Sequence, residues 1–308
     1  MVSGDLLRQH QAYYRGDRSE WQQQVRLLQS LWRQSRGLPP GGEESYHGSY
    51  LPETDEIRDS GAAYISDDAV AAARRAVEDK QRGAVMQPKR LWSNLLSSQP
   101  LCFNLFGPLS QHLDDPRTST ALARVWPDIG RVAAIRYEWS PGRKDPRFLN
   151  NGTAFDVYVE YDAVDGSQRF LGIEVKYRED LAVKPPTVGD RPRQVFEDSG
   201  AFASGSFDTM STGRNAQILL DHLLALSMTL ASETTRTGRF VLLYPARNSA
   251  VTDVIASYAP SVIDDTFVAT TLETVVDALR AEVDEPWVDE LHRRYLDTSV
   301  IDPLDAGR

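Results

Sequence analysis

The chain has 308 residues, of which 41% are hydrophobic and 25% are charged, a composition typical of a soluble globular protein large enough to bury a sizeable core. Its one cysteine, Cys102, excludes an intrachain disulfide, and its most apolar stretch, residues 216–231, is interrupted by Asp221 and His222, so we expect a buried helix there and no membrane span. The net charge of −10 comes almost entirely from residues 251–308, which hold 13 acidic and 4 basic residues, and this leaves room for a local basic groove elsewhere.

The N-terminal third is predicted to be helical. Residues 19–35 have apolar side chains at helical spacing, and Ser19 with Gln22 fits a capping box at the start of this helix. Residues 38–60 are rich in glycine, proline and acidic residues, which favours a loop.

Two further helices are predicted before the chain changes character. Ser66 is a candidate N-cap for a helix over 67–82, and Pro88 suits the first turn of a helix over 88–98.

The middle of the chain has the alternation of β-strands. We predict strands at 132–139, 154–161 and 170–177, and Asp165-Gly166 is a hairpin turn signal between the last two. Residues 178–213 contain several prolines and glycines and are predicted to form a long irregular loop, which is usually functional or mobile.

Helices and strands alternate again towards the C-terminus. A strong helix is predicted at 214–232, and residues 240–244, which are all apolar or aromatic, predict a central strand. The elements predicted after it are a helix at 250–258, a strand at 266–271, and helices at 272–283 and 286–296.

The order of these elements predicts an α/β fold with a mixed sheet flanked by helices. The strand–helix–strand step over 170–244 implies a parallel crossover next to the antiparallel hairpin. We expect three parts: an N-terminal helical extension (1–87), a core (88–250), and an acidic C-terminal segment (251–308) packed on the core.

Three polar side chains are expected to share one face of the hairpin. Side chains alternate across a strand, so Asp156 faces away from Phe155 and Val157, while Glu174 and Lys176 face away from their apolar neighbours. Gly172 lies on the same polar face and is expected to leave open space beside it.

Two carboxylates on adjacent strands make a hard oxygen site suited to a Mg²⁺-class ion. The carbonyl of Val175 is a candidate extra ligand, and Lys176 could orient a water molecule or neutralise charge on a phosphate. An ordinary solvated face with charged cross-strand pairs is the alternative reading of the same three residues.

At this point the sequence resembles a known family. Asp156 followed by Glu174-Val175-Lys176 resembles the PD-(D/E)XK nuclease superfamily, whose core is αβββαβ, and the segments Asn94–Gly107, Gly152–Asp156 and Gly172–Tyr177 resemble a bacterial family of restriction endonucleases. The resemblance implies hydrolysis of phosphodiester bonds with Mg²⁺, or Mn²⁺ as a substitute. Asp156, Glu174 and the Val175 carbonyl would bind the metal, and Lys176 would assist the attacking water.

Members of the superfamily often add an acid from the first core helix, and the helix predicted at 88–98 has none. Glu44, Glu78 and Glu138 are candidates for this acid. Asn94 or Asn104 could stand in for it, although local capping or turn hydrogen bonds account for these two residues equally simply.

Four residues are candidates for binding the substrate. The superfamily often places a glutamine on the helix after the Glu-x-Lys strand, and Gln217 fits, with Arg214 one turn earlier. Arg143 and Lys144 belong to a basic loop that could follow a nucleic-acid backbone, although a solvated turn is the simpler reading.

Other catalytic signatures are absent. The five histidines have no metal-ligand spacing, and there is no P-loop, dinucleotide fingerprint or nucleophile elbow. Asp221 and His222 are read as a satisfied polar pair in the core.

The leading hypothesis is therefore a cytoplasmic, metal-dependent DNA endonuclease of the restriction or defence type. Cutting both strands of a duplex needs two active sites, so a homodimer is compatible with this function. One alternative is a non-catalytic binding module for nucleic acid or protein on the same fold, and another is a metal-dependent hydrolase with a different substrate.

Overall fold

A computed structural model describes residues 1–179, 181, 187–231, 237–302 and 304. In chain order its helices are α1 (Gly4–Gln9), α2 (Glu20–Ser35), α3 (Asp55–Ser60), α4 (Asp67–Glu78), α5 (Pro88–Trp92), α6 (Ser98–Gln111), α7 (Pro116–Val125), α8 (Asp190–Ser199), α9 (Phe207–Met210), α10 (Asn215–Leu230), α11 (Ser249–Tyr258), α12 (Leu272–Glu282) and α13 (Pro286–Tyr295). Its strands are β1 (Ile129–Trp139), β2 (Phe155–Ala163), β3 (Gln168–Val175), β4 (Thr237–Tyr244) and β5 (Phe267–Thr271).

These elements form two compact units. The helical unit comprises Met1–Val77, Met86–Gln111 and Val283–Arg308, and the sheet unit comprises Glu78–Val85 and His112–Glu282. The three-part organisation expected from the sequence stays a prediction. No helix within the described ranges is long and apolar enough to cross a bilayer.

The helical unit contains the capping box expected from the sequence. The Ser19 hydroxyl accepts a hydrogen bond from the Gln22 amide at 3.2 Å, and the Gln22 side chain accepts one from the Ser19 amide at 3.3 Å. Both bonds satisfy amides that the first turn of α2 would leave unpaired. The predicted helix 67–82 also forms as α4, although it ends earlier, and Ser66 caps it by accepting from the Ala69 amide.

The helix predicted over 88–98 is wrong in its second half. The chain leaves α5 after Trp92, since the Leu95 amide donates to the Ser49 carbonyl and the Asn94 side chain accepts from the Leu96 amide. These bonds replace helical ones, and a new helix, α6, starts at Ser98. The loop predicted over 38–60 is also only partly correct, because it contains α3 and a short 3-10 helix.

Asn104 has a structural role on α6. Its side-chain oxygen accepts from the Ile65 amide at 2.9 Å, and its amide group donates to the Tyr295 hydroxyl at 2.8 Å. The bond of Asn94 is a local turn bond, as one alternative expected, whereas both bonds of Asn104 join residues distant in the chain and are not local capping or turn bonds.

The sheet unit is built on a mixed five-stranded sheet in the order β1-β2-β3-β4-β5. The pairs β1–β2 and β2–β3 are antiparallel, whereas β3–β4 and β4–β5 are parallel. The sheet confirms the predicted strands and the α/β fold class, and Gly166 in the predicted turn has a φ of +82°, which glycine adopts without strain.

The helix that directly precedes β1 is absent from the elements predicted from the sequence. It is α7, whose Ser119 hydroxyl accepts a hydrogen bond from the Val132 amide on β1 at 3.0 Å. Like residues 88–98, α7 contains no acidic residue.

The irregular loop predicted over 178–213 is wrong for two segments, which form α8 and α9. Apolar side chains hold them in place: Phe196, Phe202 and Phe207 join the core cluster that includes much of α10. The ring of Phe196 stacks on Phe202 at 4.3 Å and meets the edge of Phe207 at 5.1 Å. The part of the predicted loop at 180 and 182–186 lies outside the described residues.

Candidate active site

Asp156, Glu174 and Lys176 meet where β2 begins and β3 ends. The Asp156 carboxylate accepts a hydrogen bond from the Val175 amide at 2.9 Å. The Lys176 ammonium donates to the Glu174 carboxylate at 2.5 Å. The three side chains that the sequence predicts on one face of the hairpin are thus brought together.

The strand register explains this meeting. Val157 pairs with Ile173 in the antiparallel ladder, so the next pair of the same register sets Asp156 across from Glu174. Lys176 follows two residues later and returns to the face of Glu174. Glu174 is 6% exposed and Lys176 is 9% exposed, whereas Asp156 is half-buried and is the more open of the two acids.

Burial and mutual repulsion dominate the electrostatics of this cluster. Burial raises the pKa of the Asp156 carboxyl well above its usual range, and the charge of Glu174 raises it further, against the opposing charge of Lys176. For Lys176 burial acts to lower the pKa, but the charges of Glu174 and Asp156 outweigh it and hold the pKa above its ordinary value. Lys176 is therefore a permanent cation at neutral pH.

Gln217 completes the contacts of Glu174. It lies on α10, and its side-chain amide donates to the Glu174 carboxylate at 2.9 Å. Arg214, the residue directly before α10, is exposed at the N-terminal end of this helix. The structure thus places Gln217 at the acidic cluster and leaves Arg214 reachable from solvent.

The other two predicted substrate-binding residues differ from each other in their surroundings. Arg143 donates to the Glu138 carbonyl and to the Gln81 side chain, both at 2.7 Å, so its guanidinium is engaged with the protein. Lys144 is exposed, with a left-handed φ of +58°.

Among the three candidates for an additional acid, Glu138 acts on the site. It lies near the end of β1 with a φ of +46°, and its charge contributes to raising the pKa of Asp156. Neither Glu44 nor Glu78 is among the main charges that act on Asp156.

Asp221 also faces the site, a role that the sequence did not predict. Burial raises the pKa of its carboxyl well above the usual range, and the charges of Glu174 and Asp156 raise it further while that of Lys176 lowers it. The expectation of a satisfied pair with His222 is wrong. His222 bonds elsewhere, and one Asp221 oxygen, Oδ2, has no hydrogen-bond partner within the described part of the chain. The spacing of four residues from Gln217 is the sequence signal that could have indicated it.

His222 has partners of its own on the other side of α10. Its ring nitrogens lie 3.0 Å from the Tyr258 hydroxyl and 2.8 Å from the Thr266 hydroxyl. Burial lowers the pKa of His222 to about 3, so the ring is neutral and structural.

The expected open space beside Gly172 is filled. A side-chain carbon at Gly172 would stand 2.3 Å from the Phe155 ring, so that ring lies against the glycine, on the face that alternation assigned to polar residues. Phe155 is the first residue of β2, where the alternation of the strand fails, and its ring joins the core cluster with Tyr158 and Phe170.

The side chains of the cluster fit a divalent cation in their chemistry. Asp156 and Glu174 supply hard oxygen donors, and when both are ionised they carry one more charge than the single Lys176 ammonium balances. In the described ranges no three acidic, histidine or cysteine residues approach closely enough to hold an ion together. A pair of carboxylates is nevertheless the usual protein contribution to a Mg²⁺ site, where water and phosphate complete the shell.

The fold is α/β, with Asp156 on β2 of a mixed sheet and Glu174-Val175-Lys176 at the end of β3, which is consistent with a PD-(D/E)XK nuclease fold. The chain belongs to the PD-(D/E)XK nuclease superfamily, whose family model matches residues 15–297. Membership supports a nuclease-type function, a nucleic-acid substrate and the use of divalent metal that is general in the superfamily. No curated protein and no solved structure gives a significant match to the chain.

Proposed function

We propose that the chain is an endonuclease that hydrolyses phosphodiester bonds of DNA with Mg²⁺ as cofactor, in a restriction or defence role. The observation that carries the proposal is the convergence of Asp156, Glu174 and Lys176 at the junction of β2 and β3, with Gln217 bonded to Glu174. This arrangement joins two oxygen donors, a fixed cation and a positioning amide in one cluster.

Asp156 and Glu174 would hold the cation, and the Val175 carbonyl is the backbone group that we propose joins them. The Val175 amide already holds one oxygen of Asp156, which fixes the orientation of that carboxylate. When bound, the cation supplies Lewis-acid stabilisation of the phosphoryl group and activates water.

Lys176 acts as a cation and hydrogen-bond donor. In the metal-free chain the charges of Glu174 and Asp156 raise its pKa, so the side chain is protonated there. Its ammonium is suited to orient the attacking water or to stabilise negative charge that builds on the phosphate in the transition state.

Glu174 is held from two sides. The Lys176 ammonium and the Gln217 amide both donate to its Oε1 atom, so the carboxylate has little freedom to rotate. Such fixed geometry lowers the cost of assembling the site when substrate binds.

The test is cleavage of supercoiled plasmid DNA by the full chain, in Mg²⁺ and in EDTA, with Asp156→Ala beside the wild type. We expect nicked or linear DNA from the wild type in Mg²⁺ alone and none from the variant. Equal cutting by both proteins would reject the assigned site. Cleavage of a small phosphodiester, but of neither DNA nor RNA, would favour the hydrolase alternative.

Metal binding distinguishes the enzyme from a degenerate binding module on the same fold. Calorimetry with Mn²⁺ on the wild-type chain should show binding that Asp156→Ala removes. If the chain binds DNA but does not bind Mn²⁺, it is the binding module and not the enzyme.

A further inference from the structure

The Asp221 side chain is directed at the cluster from α10. It follows Gln217 by four residues, and residues at this spacing lie one above the other on the same face of a helix. Gln217 touches Glu174. Asp221 therefore continues that contact face by one turn.

The fold alone gives no reason for an aspartate at this position. Asp221 is only 5% exposed, and its Oδ2 atom finds no hydrogen-bond donor in the residues that the structure describes. Burying a carboxyl oxygen without a partner costs free energy. The neighbouring buried positions on α10 are mostly leucine, among them Leu220 and Leu223, so an apolar side chain would suit packing better.

The charges around Asp221 are those of the proposed active site. Glu174 acts on it most strongly, followed by Lys176, Asp156 and Glu138. Glu138 lies 3.8 Å from the Arg143 guanidinium, so three carboxyl groups, those of Asp221, Glu174 and Asp156, share the single ammonium of Lys176. A divalent cation would offset this excess.

We propose that Asp221 takes part in divalent-cation binding as an outer carboxylate, through hydrogen bonds to water in the site and not by direct contact with the ion. The inference rests on the proposed function. A direct ligand is less consistent with the structure, since no three acids of the described chain lie within reach of one ion. Mg²⁺ usually retains several waters, and these need oriented acceptors.

Calorimetric titration of the metal-free full chain with Mn²⁺ tests this role. Asp221→Asn keeps the size of the side chain and removes its charge, and we expect Mn²⁺ affinity to fall by about 10–100-fold, the usual effect of losing an outer-shell partner. Asp253→Asn, at an exposed position on α11, is the matched control for loss of one acidic charge and should bind Mn²⁺ like the wild type. Unchanged affinity in Asp221→Asn overturns the inference.

Thermal unfolding in EDTA separates a cation-binding role from a structural one. Without metal, Asp221→Asn and Asp221→Leu should melt at or above the wild-type temperature, because each removes a buried carboxyl group whose Oδ2 atom lacks a partner in the described chain. A lower melting temperature for both variants would show that the carboxyl supports the fold, and would overturn the inference.

The same titrations show which proposal has failed. If the wild type binds Mn²⁺, Asp156→Asn abolishes binding and Asp221→Asn leaves it intact, the proposed function stands and only the role of Asp221 is lost. If the wild type binds no Mn²⁺, the proposed function and this inference fall together.

Discussion

The Gln217 amide donates a hydrogen bond to the Glu174 carboxylate at 2.9 Å and so connects α10 to the end of β3. Glu174 receives the Lys176 ammonium at the same oxygen. Because both donors act on Oε1, the second oxygen, Oε2, is the one that they leave for another ligand. The helix therefore orients the acid on which the proposed chemistry depends.

Replacing Gln217 with leucine should impair the site without unfolding the chain. The variant removes one of two donors that fix Glu174, and we expect kcat for DNA cleavage to fall by about 10–100-fold, with Mn²⁺ affinity falling in the same range. Gln217→Glu should be worse, because it sets a like charge against Glu174. Steady-state cleavage and calorimetry provide the measurements.

The control for this change is Gln87→Leu, which alters an exposed glutamine that makes no capping bond. It should cleave DNA at the wild-type rate. Wild-type kcat and Mn²⁺ affinity in Gln217→Leu would show that the bond to Glu174 has no functional part.

Lys176→Met should both abolish cleavage and destabilise the chain in EDTA. The substitution leaves the buried Glu174 beside the half-buried Asp156 with no cation, and removing one partner of a buried ion pair typically costs about 3–5 kcal/mol. Added Mg²⁺ should recover part of this stability, since it would supply the missing positive charge. Urea unfolding with and without Mg²⁺ measures both effects.

Lys176→Arg keeps the positive charge and serves as the matched comparison. It should retain most of the stability in EDTA while losing activity, since a planar guanidinium cannot take the place of the compact ammonium. If Lys176→Met is as stable as the wild type without metal, the charge balance described for this cluster is wrong.

Much of the site was predictable because it depends on local strand geometry. Alternation with period two places Asp156, Glu174 and Lys176 on one side of a hairpin whatever the rest of the chain does, and the structure brings them together. The hairpin itself followed from Asp165-Gly166 between two apolar runs. Predicting Gln217 required, in addition, the resemblance to the nuclease family.

The parts that were missed depend on contacts distant in sequence. α10 is apolar on nearly all sides, so periodicity does not show which way Asp221 points, and only the packing of the helix on the sheet decides it. Likewise, the break after Trp92 depends on a bond from Leu95 to Ser49, about 46 residues away in the chain. Phe155 departs from alternation because its ring fills the space over Gly172.

The metal-free chain should lose stability relative to Asp156→Asn as the pH rises. The pKa of Asp156 is raised in the folded state, first by burial and then by Glu174, so folding favours the protonated carboxyl. The protonated Asp156 carboxyl contributes fully to the free energy of unfolding below the ordinary aspartate pKa of about 4. This contribution is lost as the pH rises through the raised pKa of the folded state. The positive charge of Lys176 lowers the pKa of Asp156 but offsets only part of the increase, and the charge of Glu138 raises that pKa further.

Melting temperatures of both proteins in EDTA, from about pH 5 to about pH 8, measure this difference. The asparagine does not titrate and can still accept from the Val175 amide, so the gap should widen in its favour with rising pH. Saturating Mn²⁺ should close the gap for the wild type. A gap that stays constant across the range would contradict the raised pKa.

Gly172→Ala should destabilise the sheet next to the site. The new methyl group would stand 2.3 Å from the Phe155 ring, which is itself fully buried, so strand or ring must shift at a cost of about 1–3 kcal/mol. Gly152→Ala is the control, because nothing lies within 4 Å of a methyl group there. Adding Phe155→Leu to Gly172→Ala should recover part of the loss, since the smaller side chain makes room. Denaturant unfolding of the wild type, Gly172→Ala, Phe155→Leu and the double variant measures the coupling. If Gly172→Ala is as stable as Gly152→Ala, the Phe155 ring does not cover Gly172. The space beside Glu174 would then be open, as the alternation of side chains predicts.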